Sequence, residues 1–169
     1  MRKSVGHGTR DKDKGPGTKD WEPEAGGWRL GTWDMDKGLR TVFIFGNPDV
    51  LGDSAPIEIL PELQKLFPSA NFETKDPNEE WSVPEELTVI DTVAGIKDVK
   101  IFDGLDAFAA APRITMHDFD AYANLRLLQK LGKLKKIKII GIPPEMPAGE
   151  AIQKTAAALM RLCRPAENQ

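Results

Sequence analysis

A second cysteine is missing from this chain of 169 residues, where Cys163 stands alone. That excludes an internal disulfide and any zinc site built from several cysteines. Histidine is nearly as scarce, with only His7 and His117 available as imidazole ligands or bases. No apolar run approaches the roughly 20 residues that a membrane-spanning helix needs. The net charge of −3 gives no electrostatic reason to expect nucleic acid or an anionic membrane as partner. Several chemical signatures are absent as well. There is no G-x-x-x-x-G-K-[ST], and the run from Gly46 to Gly52, GNPDVLG, is not G-x-G-x-x-G, so a nucleotide phosphate cradle has no support. G-x-S-x-G and H-E-x-x-H are missing, and Ser4, Ser54, Ser69 and Ser82 have no histidine placed as a partner. A hydrolase built on this chain needs a metal or an unusual nucleophile. The basic first residues have no apolar stretch behind them, so a secretory signal is not expected and the expected location is the cytoplasm.

What is present divides at about residue 38. Residues 1–38 mix Gly, Pro, Lys, Asp and Glu with almost no aliphatic side chains, a composition that cannot bury enough apolar area to offset its ordering entropy. They are expected to form a largely disordered tail, with Trp21, Trp28 and Trp33 packing in part on the body. Residues 39–164 carry the pattern of one α/β domain, and 165–169 are expected to fray. TVFIF, LTVID and KIKIIGI are continuous apolar runs rather than alternating ones, which is how strands buried on both faces read. ANFETKD alternates as a half-buried strand, Asp76 to Glu86 reads as a loop, and Val99–Phe102 is a short strand. Ile57, Ile59, Leu60, Leu63, Leu66 and Phe67 form a helical stripe behind Ser54, a candidate N-cap, with Pro61 marking either its true start or a kink. Further helices are expected over LDAFAAAP up to Pro112, from about Asp118 or Asp120 to Gly132, and over AGEAIQKTAAALMRLC. Strands alternating with helices predict an open, mostly parallel, twisted sheet with helices on both faces. Ligands in such sheets sit beyond the carboxyl ends of the strands.

Three chemistry-bearing residues fall near that edge. Asp53 follows the first strand, Asp91 ends the strand TVID, and His117 stands on the loop expected to enter the helix before the last strand. Two carboxylates and one imidazole make a mixed N/O site suited to Ni, Zn, Mn or Fe with coordination positions left open. Each also has a plainer reading: Asp53 as a helix cap, His117 as a solvated loop residue, and Asp91 as a buried acid paired elsewhere. Asp49, Asp103, Asp106, Asp118 and Asp120 read as caps or solvated faces. His7 in the tail and Cys163 near a helix end are set aside.

GNPDVLGD before a helix, VIDTVAG, a histidine after a short helix, and IIGIPP together resemble the hydrogenase maturation endopeptidases, over roughly Arg40 to Cys163. The resemblance implies an open α/β fold. It implies a monomeric endopeptidase that removes the C-terminal extension of a hydrogenase large-subunit precursor already loaded with nickel. By motif position, Asp53, Asp91 and His117 fall on the family's nickel-sensing ligands, with Asp53 and Asp91 as the acids nearest the chemistry. The Ni(II) then arrives with the substrate, and Zn, Cd or another divalent ion binds in its place in isolation. The family turn carries two adjacent acids and then a glycine, whereas Gly52 precedes Asp53 here and Pro56 takes the glycine position. KDPNEEW replaces a glycine-rich loop after the second strand. These departures suit a divergent, archaeal-type member, and they keep open a non-catalytic metal-sensing scaffold or chaperone of the same fold. A receiver-like phospho-switch also uses strand-end acids. It needs a lysine at the end of the last strand, where this chain has Ile142-Pro143-Pro144.

Overall fold

The computed structural model describes residues 41–50, 52–76, 79–109 and 116–163, with 116–119 described through their backbone alone. The expected tail with its three tryptophans, the boundary at residue 38 and the fray at 165–169 lie outside the described residues. Among the described residues, five strands and four helices follow in the order β1 (Thr41–Ile44), α1 (Ala55–Leu66), β2 (Asn71–Thr74), β3 (Glu86–Thr92), β4 (Lys100–Asp103), α2 (Leu105–Ala109), α3 (Met116–Lys130), β5 (Lys136–Ile142) and α4 (Ala148–Cys163). The sheet order is β2-β1-β3-β5-β4. The first four strands of that order run parallel, and β4 joins β5 antiparallel. The three apolar runs TVFIF, TVID and KIIGI are therefore the inner strands, and the half-buried ANFET is an edge.

Each inner strand buries both of its faces. Val42, Ile44, Ile90, Ile140 and Ile142 pack against Ile59 and Leu63 of α1 and Leu159 of α4. On the opposite face Phe43, Val89, Ile137 and Ile139 meet Leu105, Phe108, Ala121 and Leu125 of α2 and α3. The period of two along a strand sends alternate residues to these two clusters, so one register slip would exchange them.

Local details depart from expectation in several places. Ser54 occupies the N-cap position of α1, but its hydroxyl donates to the Glu58 carboxylate and makes no cap to the backbone. Pro61 neither starts nor ends α1, which runs through it. Pro56 lies in the first turn, where a missing N–H costs nothing. β3 continues one residue beyond Asp91, because Thr92 still pairs with Ile142. The loop after β2 is more than a connection: Trp81 is 9% exposed, donates its indole N–H to the Asp76 carbonyl at 2.8 Å, and packs on Phe43 and Phe45.

Candidate functional site

The carboxyl end of β1 breaks at Gly46, whose φ of +146° lies in the region that side chains other than glycine's disfavour. From there the chain folds back on itself. Asn47 N–H donates to the Asp53 carbonyl at 3.1 Å, Val50 N–H to the Asn47 carbonyl at 3.1 Å, and Asp53 N–H to the Val50 carbonyl at 3.0 Å. The Asn47 side chain accepts from the Asp49 N–H at 2.9 Å, which tightens the turn. This ring of bonds separates the two aspartates of the turn. Asp49 is exposed, while Asp53 is 1% exposed.

The turn also crosses the sheet edge. Gly46 follows β1, and a Cβ placed on Gly52 would sit 3.6 Å from Pro144 Cβ, just past β5. β3 lies between those two strands. The 46–53 turn therefore spans the carboxyl end of β3, where Asp91 is found. Phe45 N–H donates to the Ile90 carbonyl at 3.0 Å, which fixes β1 against β3 one residue before Asp91. Asp91 is 3% exposed, and its Oδ1 accepts the N–H of Thr92 at 2.8 Å. By strand alternation it belongs to the face of Val89 and Val93, the side covered by α3.

His117 is not on a loop: α3 begins at Met116, so His117 stands in its first turn. Gly132 ends the helix with φ +72°, Lys133 N–H donates to the Leu128 carbonyl, and β5 starts at Lys136. The last turn of α3 thus lies at the amino edge of the sheet. The helix packs on the sheet through Ala121 and Leu125. Its 15 residues span about 22 Å, and the seven of β5 span about 23 Å. The side chain of His117 lies outside the described residues. No group of three His, Cys, Asp or Glu side chains able to hold a metal occurs among the described residues.

The remaining acids and the lone thiol are elsewhere. Asp103 is exposed and pairs with Lys138 at 2.6 Å on the outer strand, Asp106 pairs with Arg126, and Asp120 is exposed on α3. The side chain of Asp118 and all of His7 lie outside the described residues. Burial pushes the thiol of Cys163 above its usual value, the wrong direction for a nucleophilic thiolate. Gly46 is legible in the sequence only as the stop of a strand; its contact with Asp53 is a feature of the folded turn.

The fold is similar to that of a hydrogenase maturating endopeptidase, HybD from E. coli, with a TM-score of 0.55 and 17% identity over 73% of this chain and 93% of that chain. A hydrogenase 3 maturation protease and the endopeptidase HycI from Escherichia coli each align with a TM-score of 0.49 and 18% identity, over 73% of this chain and 89% of theirs. No family model and no curated protein matches the chain. The likeness to HybD establishes a shared open α/β architecture.

Proposed function

We propose that the chain is an endopeptidase of the hydrogenase-maturation type, removing the C-terminal extension of a hydrogenase large-subunit precursor that already carries nickel. The observation that supports this reading best is the pair of buried carboxylates, Asp53 and Asp91, at one carboxyl edge of a sheet with that architecture. Two carboxylates suit a divalent cation carried by the substrate, and His117 in the first turn of α3 would add a nitrogen ligand. In this reading Asp53, Asp91 and His117 bind the precursor's nickel and thereby seat the scissile peptide at the cleft. A carboxylate of the pair, Asp53 in the first instance, takes a proton from water as the oxygen attacks the peptide carbonyl. That proton passes to the leaving amine as the C–N bond breaks. Zn(II) or Cd(II) would take the same ligands when the protein is alone. The substrate licenses its own cleavage, because an unloaded precursor lacks the ion that completes the site.

The second reading is a scaffold that captures the loaded precursor without cutting it. It is favoured by Asp53 being preceded by Gly52 and not by a second acid, which leaves one carboxylate fewer to act as base. Incubation of the purified protein with nickel-loaded and nickel-free precursor separates the two. A shortened product from the loaded form alone is expected. A stable complex without shortening would establish the scaffold, and indifference to the precursor would remove both readings.

A further inference from the structure

We propose that Gly46 is a positioning residue of the candidate site, whose missing side chain allows Asp53 to be held over the end of β3. The inference rests on the reading in which Asp53 is a metal ligand, and it concerns how that ligand is placed.

A Cβ built on Gly46 would lie 2.7 Å from the backbone oxygen of Asp53, closer than real Cβ atoms approach any heavy atom. It would also stand 3.4 Å from Ile57 Cγ1 and 3.5 Å from Pro56 Cδ. The obstacle is the Asp53 backbone oxygen, which no side-chain rotation can remove; the other two distances are ordinary van der Waals contacts. The Asp53 oxygen that would be struck is the one that accepts the Asn47 N–H and closes the turn. Relief of the clash must move Asp53 outward, and its carboxylate moves with its backbone. Asp91 cannot follow, because β3 is paired on both sides, to β1 and to β5. Gly46 therefore sets the separation between the two acids through a contact with one of them, and metal ligation tolerates errors of only a few tenths of an ångström.

The molecule contains its own control. Gly104 has φ +86°, so an alanine there also carries backbone strain, yet a Cβ on it meets nothing within 4 Å. It follows β4 and its N–H donates to the Ile137 carbonyl near the amino end of β5, at the opposite edge of the sheet.

The experiment is calorimetric titration of the full chain with Ni(II) alone, on wild type, Gly46→Ala, Gly104→Ala and Asp53→Asn. Gly46→Ala is expected to weaken binding at least tenfold while its far-ultraviolet circular dichroism stays native, and Gly104→Ala to bind within twofold of wild type. Equal affinity of Gly46→Ala and Gly104→Ala, with Asp53→Asn impaired, would overturn the positioning role and leave Asp53 a ligand. Unimpaired binding by Asp53→Asn would instead remove the reading on which the inference rests. Should Gly46→Ala fail to fold, amide hydrogen exchange of the wild type decides. Slower exchange of the Asn47 and Asp53 amides on adding Ni(II) is expected, and unchanged rates would refute the role.

Discussion

Asp49 and Asp53 stand four residues apart in one turn and end in opposite surroundings. An exposed aspartate keeps its hydration and costs little, whereas one at 1% exposure must recover its solvation from the protein or from a cation. Asp91 is legible in the sequence because an acid inside an unbroken β-branched run has few innocent explanations. Asp53 is ambiguous there, since an acid before a helix is usually a cap, and the structure gives the N-cap position to Ser54. For His117 the sequence reading misleads by about a turn: Asp118 and Asp120 read as the helix entry, whereas α3 starts at Met116, directly after Thr115, a residue type that also suits an N-cap. The three proposed ligands lead to a direct expectation. In Ni(II) titrations followed by calorimetry, Asp53→Asn, Asp91→Asn and His117→Ala should each weaken binding at least tenfold, roughly 1.4 kcal/mol. Asp103→Asn, on the outer strand and paired with Lys138, should bind as wild type does. Equal binding by all five proteins would place the ion elsewhere and take away the main support of the peptidase reading.

At the scale of elements, the inner strands are readable because their burial is written locally, one apolar residue after another. The role of the connection from β2 to β3 is not, because Trp81 sits in text that is otherwise charged and rich in proline. Only the folded chain brings its ring 5.3 Å from Phe45 and 6.1 Å from Phe43. Trp81→Ala would leave a cavity over β1 that the neighbouring aromatic rings cannot close, at a cost of about 3–5 kcal/mol. Urea unfolding should show that loss, with Trp81→Phe recovering part of it; a loss under ~1 kcal/mol would mean the loop contributes little to that face. The opposite face has a pH-dependent tie. Lys154 of α4 bonds Asp98 in the loop before β4 at 2.8 Å. The hydrogen bond to Lys154, helped by one from the Val99 N–H, holds the Asp98 carboxyl below its ordinary value of 3.8. A carboxyl depressed in the folded state stabilises it above the unfolded pKa, and that contribution is lost as pH falls through the folded value. Asp98→Asn should therefore lower the thermal midpoint slightly at pH 7, and by progressively less as the pH falls below the ordinary carboxyl value of 3.8. A larger effect at the acid pH would have the wrong sign for this tie.

Among the described residues, Asp91 stands on β3, a strand paired on both sides. β3 and β5 pair along seven residues from Glu86–Lys136 to Thr92–Ile142, whereas β2 and β4 each add four at the rims. Ile90 and Ile140 face each other across that central ladder, both at 0% exposure, and both belong to the cluster under α1 and α4. An aspartate at either position would place a carboxylate among aliphatic side chains, which costs several kcal/mol against a total stability of about 5–15 kcal/mol. Ile90→Asp and Ile140→Asp should each abolish cooperative unfolding. Leu127→Asp, at a residue 53% exposed on α3, should unfold within about 0.5 kcal/mol of wild type. The contrast with Asp91 carries the functional point, because it is one residue from Ile90 on the same strand and the native chain tolerates an acid there. A buried acid is tolerated next to Ile90 because it lies on the α3 face near the strand's end, where the Thr92 N–H meets it. If Asp91 were there only to satisfy local structure, Asp91→Leu would destabilise the fold and leave metal binding unchanged. The expected result is a chain at least as stable as wild type in urea, with Ni(II) affinity lost. Retained affinity in Asp91→Leu would mean that the acid at the centre of this sheet serves the fold and not the substrate.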